Sequence, residues 1–197
     1  YDEYKLLKDK SSYNVSWVSL GPVLNSARVE SIQVDESKPG TMYVAFGSGN
    51  LWKTINNGIS WKPIFNDVPS IGIGDIAIAP SNKDIIYVGT GESLKKGRNF
   101  TMPGTGIYKS IDGGVSWSES LLFTNGFVVD MILSDPKNWN IQYAAISGKG
   151  VYKSIDGGQS WSPKSIGIPN AERIELDISP VNSKIIWASE ESGKLYV

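Results

Sequence analysis

One ten-residue stretch recurs along this chain of 197 residues, and its return limits what the chain can fold into. It reads Tyr152-Lys153-Ser154-Ile155-Asp156-Gly157-Gly158-Gln159-Ser160-Trp161, and earlier Tyr108-Lys109-Ser110-Ile111-Asp112-Gly113-Gly114-Val115-Ser116-Trp117. A looser copy reads Trp52-Lys53-Thr54-Ile55-Asn56-Asn57-Gly58-Ile59-Ser60-Trp61. Each copy reads as a strand, a tight turn and a second strand. Asn56, Asp112 and Asp156 open the turns, where a side-chain oxygen accepts bonds from backbone N–H groups just downstream. Glycine supplies positive φ without a Cβ clash. Thr54, Ser110 and Ser154, two residues earlier, offer a further local partner. Asn56, Asp112 and Asp156 are therefore expected to be structural turn locks.

The copies belong to a longer period. Trp17 precedes Trp61 by 44 residues, Tyr43 precedes Tyr87 by 44, and Trp117 precedes Trp161 by 44. Residues 1–13 are polar and read as a tail or linker. Residues 14–20 resemble the closing strand of a unit. Whole units follow at 28–64, 72–120 and 126–163, and a partial one at 171–197. The spacing from Trp61 to Trp117 is stretched to 56 by an insertion, Glu92 to Pro103, between the second and third strands of its unit.

Repeats of this length, each with four short strands and no convincing helix, predict an all-β fold: a β-propeller with four-stranded antiparallel blades, about four of them in this chain. The first strand of each blade should line the channel and the last should lie outermost. The stretch 14–20 could complete the fourth blade and close a small ring. The preferred expectation is an arc of a larger ring within a larger chain, because the sequence stops inside a hairpin.

Composition excludes several chemistries. Cysteine and histidine are absent, so disulfides, thiol nucleophiles, Cys/His zinc sites and histidine bases are excluded. A net charge of −1 gives no basic field for nucleic acid. No apolar run approaches the roughly 18 residues of a membrane span. No cofactor or metal site is expected.

The turns resemble the Asp-box, or BNR repeat, Ser-x-Asp-x-Gly-x-x-Trp. Two copies fit fully, and the first carries Thr54 and Asn56. Leu20-Gly21-Pro22, Arg28-Val29, Ile73-Gly74-Asp75-Ile76-Ala77-Ile78-Ala79-Pro80-Ser81 and Ile86-Tyr87-Val88-Gly89-Thr90-Gly91-Glu92 extend the likeness. Together they resemble the N-terminal propeller of bacterial sortilin/Vps10-like and glycoside-hydrolase BNR proteins. That resemblance implies a secreted, cell-surface or periplasmic protein that binds a protein or glycan ligand. It leaves open recognition and scaffolding on one side and a xyloglucanase-like hydrolase on the other. The sialidase reading is disfavoured, since Leu20-Gly21-Pro22 stands where an Arg-Ile-Pro motif is expected.

Candidate site residues follow from position. The insertion carries Glu92, Lys95, Arg98 and Phe100, a binding loop at the ring face. Arg28 and Arg173 open channel-lining strands and suit a carboxylate or sulfate. Trp139 has no counterpart in the other units, which marks it as a candidate ligand platform. A hydrolase needs two carboxylates across a groove. Asp75 and Glu175 are the candidates, with Glu92, Asp130 and Asp177 beside them.

Overall fold

The computed structural model describes residues 27–70, 72–92, 102–124, 126–168 and 172–197. The tail, the stretch 14–20, and Lys95, Arg98 and Phe100 of the insertion lie outside the described residues. Among those described there are fifteen strands and no helix.

The first sheet comprises β1 (Val29–Val34), β2 (Met42–Phe46), β3 (Leu51–Thr54) and β4 (Lys62–Pro63). The second comprises β5 (Ile73–Ile78), β6 (Ile86–Thr90), β7 (Gly106–Ser110) and β8 (Ser118–Leu122). The third comprises β9 (Val129–Ser134), β10 (Gln142–Ile146), β11 (Gly150–Ser154) and β12 (Ser162–Pro163). The fourth has three strands, β13 (Ile174–Ile178), β14 (Ile186–Glu190) and β15 (Leu195–Tyr196). Every sheet is an antiparallel meander in chain order, and the registers agree. Trp52 faces Val44, Tyr108 faces Val88, Tyr152 faces Ala144 and Tyr196 faces Ala188. The expected β-propeller architecture is present, with three four-stranded blades and one three-stranded blade among the described residues. The first strands β1, β5, β9 and β13 pack successively on one another and form the hub.

Three hydrophobic clusters fill the wedges between blades. Tyr43, Ala45 and Leu51 meet Ile73, Ile76 and Val88; Tyr87 and Ile107 meet Val129 and Ile146; Tyr143 and Val151 meet Ile174 and Leu176. The second strands β6 and β10 are buried along their whole length, as befits blades covered on both faces. Only the ends of the array differ. Val29, Ile32 and Val34 of β1 are 46, 58 and 52% exposed, with no sheet beside them among the described residues.

The recurring turn has one geometry. Asp112 Oδ1 accepts from the N–H groups of Val115 and Ser116, and Asp156 Oδ1 from those of Gln159 and Ser160. Ser110 and Ser154 donate to these acids while accepting from Gly114 N and Gly158 N. Asn56 reproduces the motif without charge, bonding Ser60 N, Ser60 Oγ and Thr54 Oγ1. So many donors hold the Asp112 and Asp156 carboxyls well below the usual carboxylate range. Gly113 and Gly157 take φ of 70° and 68°, the left-handed region that glycine and, less readily, asparagine enter, and Asn57 holds the same position in the first blade at 56°. The tryptophans lie within the turn rather than opening the outgoing strand, because Trp61, Trp117 and Trp161 each precede the first paired residue.

The turn also fastens one blade to the next. Lys53 Nζ and Tyr43 Oη of the first blade donate to Gly113 O of the second, at 2.7 and 3.5 Å. Lys109 Nζ and Tyr87 Oη of the second donate to Gly157 O of the third, at 2.6 and 2.9 Å. In each pair the ammonium also lies over the tyrosine ring, 5.2 and 5.6 Å from its centroid. Burial pushes the Tyr43 phenol up to about 12 and lowers the Lys53 and Lys109 ammonium pKa. The indoles complete the seat: Trp117 Nε1 donates to Ile64 O at 2.7 Å, and Trp161 Nε1 to Ser120 Oγ at 3.0 Å.

Two outcomes are expected from this construction. Tyr87→Phe deletes one buried bond and should cost about 1 kcal/mol, read as a fall of roughly 3 °C in Tm. Asp112→Asn should be tolerated, since Asn56 already works in the first blade, whereas Asp112→Ala should lower Tm clearly. The Asp112 carboxyl's folded pKa is depressed, so its contribution is present above the ordinary value of 3.8 and is lost as pH falls through the folded value. The gap between wild type and Asp112→Ala should accordingly narrow in acid, which thermal melts against pH would check.

Candidate functional site at the hub

The inner strands bring acids together at one end of the hub. Three of the four carry a bulge close to their first residue, which leaves Glu30, Gly74 and Asp130 without a partner in the ladder. A bulge re-aims side chains where it occurs. Glu30, Asp75, Glu92, Asp130, Arg173 and Glu175 line one cavity of about 120 Å³. Gly74 is required here by close approach, since a Cβ on it would stand 2.1 Å from Val129 O of the neighbouring inner strand.

Most of these groups have partners, and several of those lie in a neighbouring blade. Asp75 Oδ2 accepts from Ile132 N at 2.9 Å, and Ser31 of the blade before also bonds its carboxyl. Asp130 takes the N–H of Ile174, while its Oδ2 is buried without a hydrogen-bond partner. Arg28 bridges Glu30, at 2.5 Å, and Glu92. Arg173 binds Glu175 at 2.9 Å. Glu92 is only 5% exposed, and its carboxyl lies where a Cβ on Gly47 would otherwise be. It also roots the insertion, through paired backbone bonds with Met102 of 2.9 and 3.1 Å.

Burial dominates the electrostatics. It pushes the Asp75 carboxyl up to about 6 and the Asp130 carboxyl up to about 7, against the backbone bonds that favour their ionised forms. Burial also raises Glu92, an effect Arg28 opposes and Glu30 reinforces. Among the described residues no group of three or more acids is arranged to hold a metal ion.

Of the residues singled out in the sequence, the hub thus gathers Arg28, Asp75, Glu92, Arg173 and Glu175. Asp130, a lesser candidate there, also lines the cavity, and burial raises its carboxyl to about 7. Asp177 is absent from the cavity lining. Trp139 is elsewhere, on the turn after β9, at the far end of that strand from Asp130. Its ring packs against the Gly157 turn and the third-blade core, with Lys109 Nζ 5.3 Å above it. A larger open cleft of about 500 Å³ lies at the rim between the first two blades, lined by Lys53, Trp61, Lys62, Asn66 and Asp67. No separate sequence signal marks it, since Trp61 and Lys53 are repeat positions.

Asp130 sets a pH dependence of known sign. Its folded pKa lies above the ordinary 3.8, so stability falls as pH rises from about 4 to about 7 and is level beyond. Asp130→Asn removes that slope. Its Tm relative to wild type should therefore be higher at pH 8 than at pH 4.5. Gly74→Ala should depress Tm at both pH values, through collision with Val129 O.

Comparison with known proteins fits this fold. No family model matches the chain. The chain is 23% identical over 155 residues to a xyloglucanase of Hypocrea jecorina, covering 71% of this chain and 16% of that protein. It is 27% identical over 113 residues to a xyloglucanase of Acetivibrio thermocellus, covering 49% of this chain and 12% of that protein. The crystal structure of a GH74 enzyme of Niastella koreensis superposes with a TM-score of 0.64 at 24% identity, over 81% of this chain and 24% of that one. The chain thus spans less than a quarter of each of these proteins, and what it shares with the solved structure is the β-propeller fold.

Proposed function

We propose that this chain is a recognition and scaffolding segment of a larger, glycoside-hydrolase-like extracellular or cell-surface protein, and that its ligand is a polysaccharide. The observation that carries this reading is the construction of the hub. Its cavity of about 120 Å³ is well below the roughly 300–1,000 Å³ of small-molecule sites. Several of its charged groups are also committed to bonds that tie one blade to the next. Such a hub holds the ring together and leaves ligand contact to the face around it. Arg28 and Glu92 stand at the root of the insertion, and Lys95, Arg98 and Phe100 within it would extend that face. Arg173 would serve the same face from the fourth blade. The Asp-box identity of the turns and the kinship with sortilin-like propellers belong to the same proposal, as does the division into a 1–13 linker and a 14–197 propeller segment.

A hydrolase is the second reading, and one observation favours it. Asp75 and Asp130, raised to about 6 and 7 in one cleft, sit in the range of a general acid. Glu175 would then be the second carboxylate.

Binding and turnover on a panel including xyloglucan and other plant polysaccharides distinguish the two. Binding without turnover, weakened at least tenfold by deleting residues 93–102, is the expected result. Turnover abolished by Asp75→Asn or Glu175→Gln would decide for the hydrolase. Absence of polysaccharide binding, or binding indifferent to the deletion, would end the recognition reading as drawn.

A further inference from the structure

Among the described residues the seat that joins blades is built three times and filled twice. Tyr43 with Lys53 takes Gly113 O, and Tyr87 with Lys109 takes Gly157 O. In the third blade Tyr143 and Lys153 repeat the arrangement, with the ammonium 5.0 Å from the ring centroid. No carbonyl among the described residues caps either group. Beside them runs a groove of about 460 Å³ between the third and fourth blades, whose apolar lining includes Val151, Ile166, Ile168, Leu176 and Ile186. Ile166 is fully exposed and Leu195 is 71% exposed. The outer edge of β15 has no strand on it among the described residues.

We propose that this groove is a receptor for one more turn and strand of the Ser/Thr-x-Asp/Asn-x-Gly-x-x-Trp class, continuing β15. The glycine carbonyl would sit on Tyr143 Oη and Lys153 Nζ, the strand would add to the edge of β15, and the indole would cover Lys164 to Ile168.

Three observations specify that occupant. Tyr196 holds the register position of Trp52, Tyr108 and Tyr152, so a segment continuing β15 enters the groove in phase. Lys164 N bonds Val151 O as Ile64 N bonds Leu51 O, so Lys164 O stands where Ile64 O receives Trp117. The opposite end of the array shows the reciprocal defect: Trp61 Nε1, equivalent to Trp117 and Trp161, is buried without an acceptor among the described residues. The turns of a second copy already close complete four-stranded blades, which favours a segment continuing β15 over a second copy. Residues 10–14 are Lys-Ser-Ser-Tyr-Asn, with neither the acid nor the glycine that the seat requires.

The test lengthens the whole chain. A second copy of residues 154–163 is appended to Val197, which holds the position equivalent to Lys153. The extended protein should melt about 5 °C or more above the original. Tyr143→Phe with Lys153→Met should remove at least half of that gain while moving the Tm of the original chain by less than about 2 °C. Asp→Ala at the appended acid should act in the same way. A rise insensitive to these substitutions, or no rise, would overturn the proposal. So would a seat already held by residues 14–20, seen as a loss of stability on Trp17→Ala with no gain on extension, or a gain that grows with protein concentration, which would make the occupant a second copy.

Discussion

The architecture depends on a glycine carbonyl held by a lysine and a tyrosine of the blade before it. Antiparallel strands make each blade, but ladders run only within a sheet, and neighbouring blades share no strand. What sets one blade at a fixed angle to the next is apolar packing in the wedge plus a few directed bonds at rim and hub. At the rim those bonds are Lys53 and Tyr43 to Gly113 O, and Lys109 and Tyr87 to Gly157 O. Hydrogen bonds from charged donors are about twice as strong as neutral ones, and burial around the tyrosines strengthens them further. The turn must therefore be rigid, which explains the density of bonds on Asp112 and Asp156.

At the hub the same task falls to carboxylates. Asp75 joins β5 to β9, and Asp130 joins β9 to β13, each by accepting a backbone N–H from the neighbouring inner strand. An acid used in this way is buried and thus harder to ionise. The perturbation that elsewhere marks a catalytic group here has a structural cause of its own, since ion-paired and bridging networks also shift pKa values. A cavity of about 120 Å³ is in keeping with the bridging role.

The fold was legible in the sequence because the turn chemistry and the aromatic spacing agree. Strand limits were less so. The inner strands β5 and β9 begin at Ile73 and Val129, and the very next residue, Gly74 or Asp130, falls outside the ladder. In both, an unpaired residue breaks the alternation that marks a strand, and a bulge has no reliable local signature. The hub acids could be named from their place on first strands. Their partners could not, because Asp75 and Ile132 lie 57 residues apart and meet only when blades pack. The inter-blade bonds of Lys53 and Lys109, and the seat of the Trp139 ring beneath Lys109, were not legible for the same reason. A long side chain on a strand declares its neighbour only once the next blade is in place.

The bulges have a consequence for how such a ring changes over evolutionary time. Glu30, Gly74 and Asp130 stand outside the hydrogen-bonded ladders yet line the hub cavity. Substitution at the two that carry side chains leaves strand registration untouched and alters the charge at the centre directly. A lineage could thus retune its axial charge one blade at a time without moving a strand, so long as the bonds that Asp130 and Glu30 make to Ile174 and Arg28 are kept or replaced.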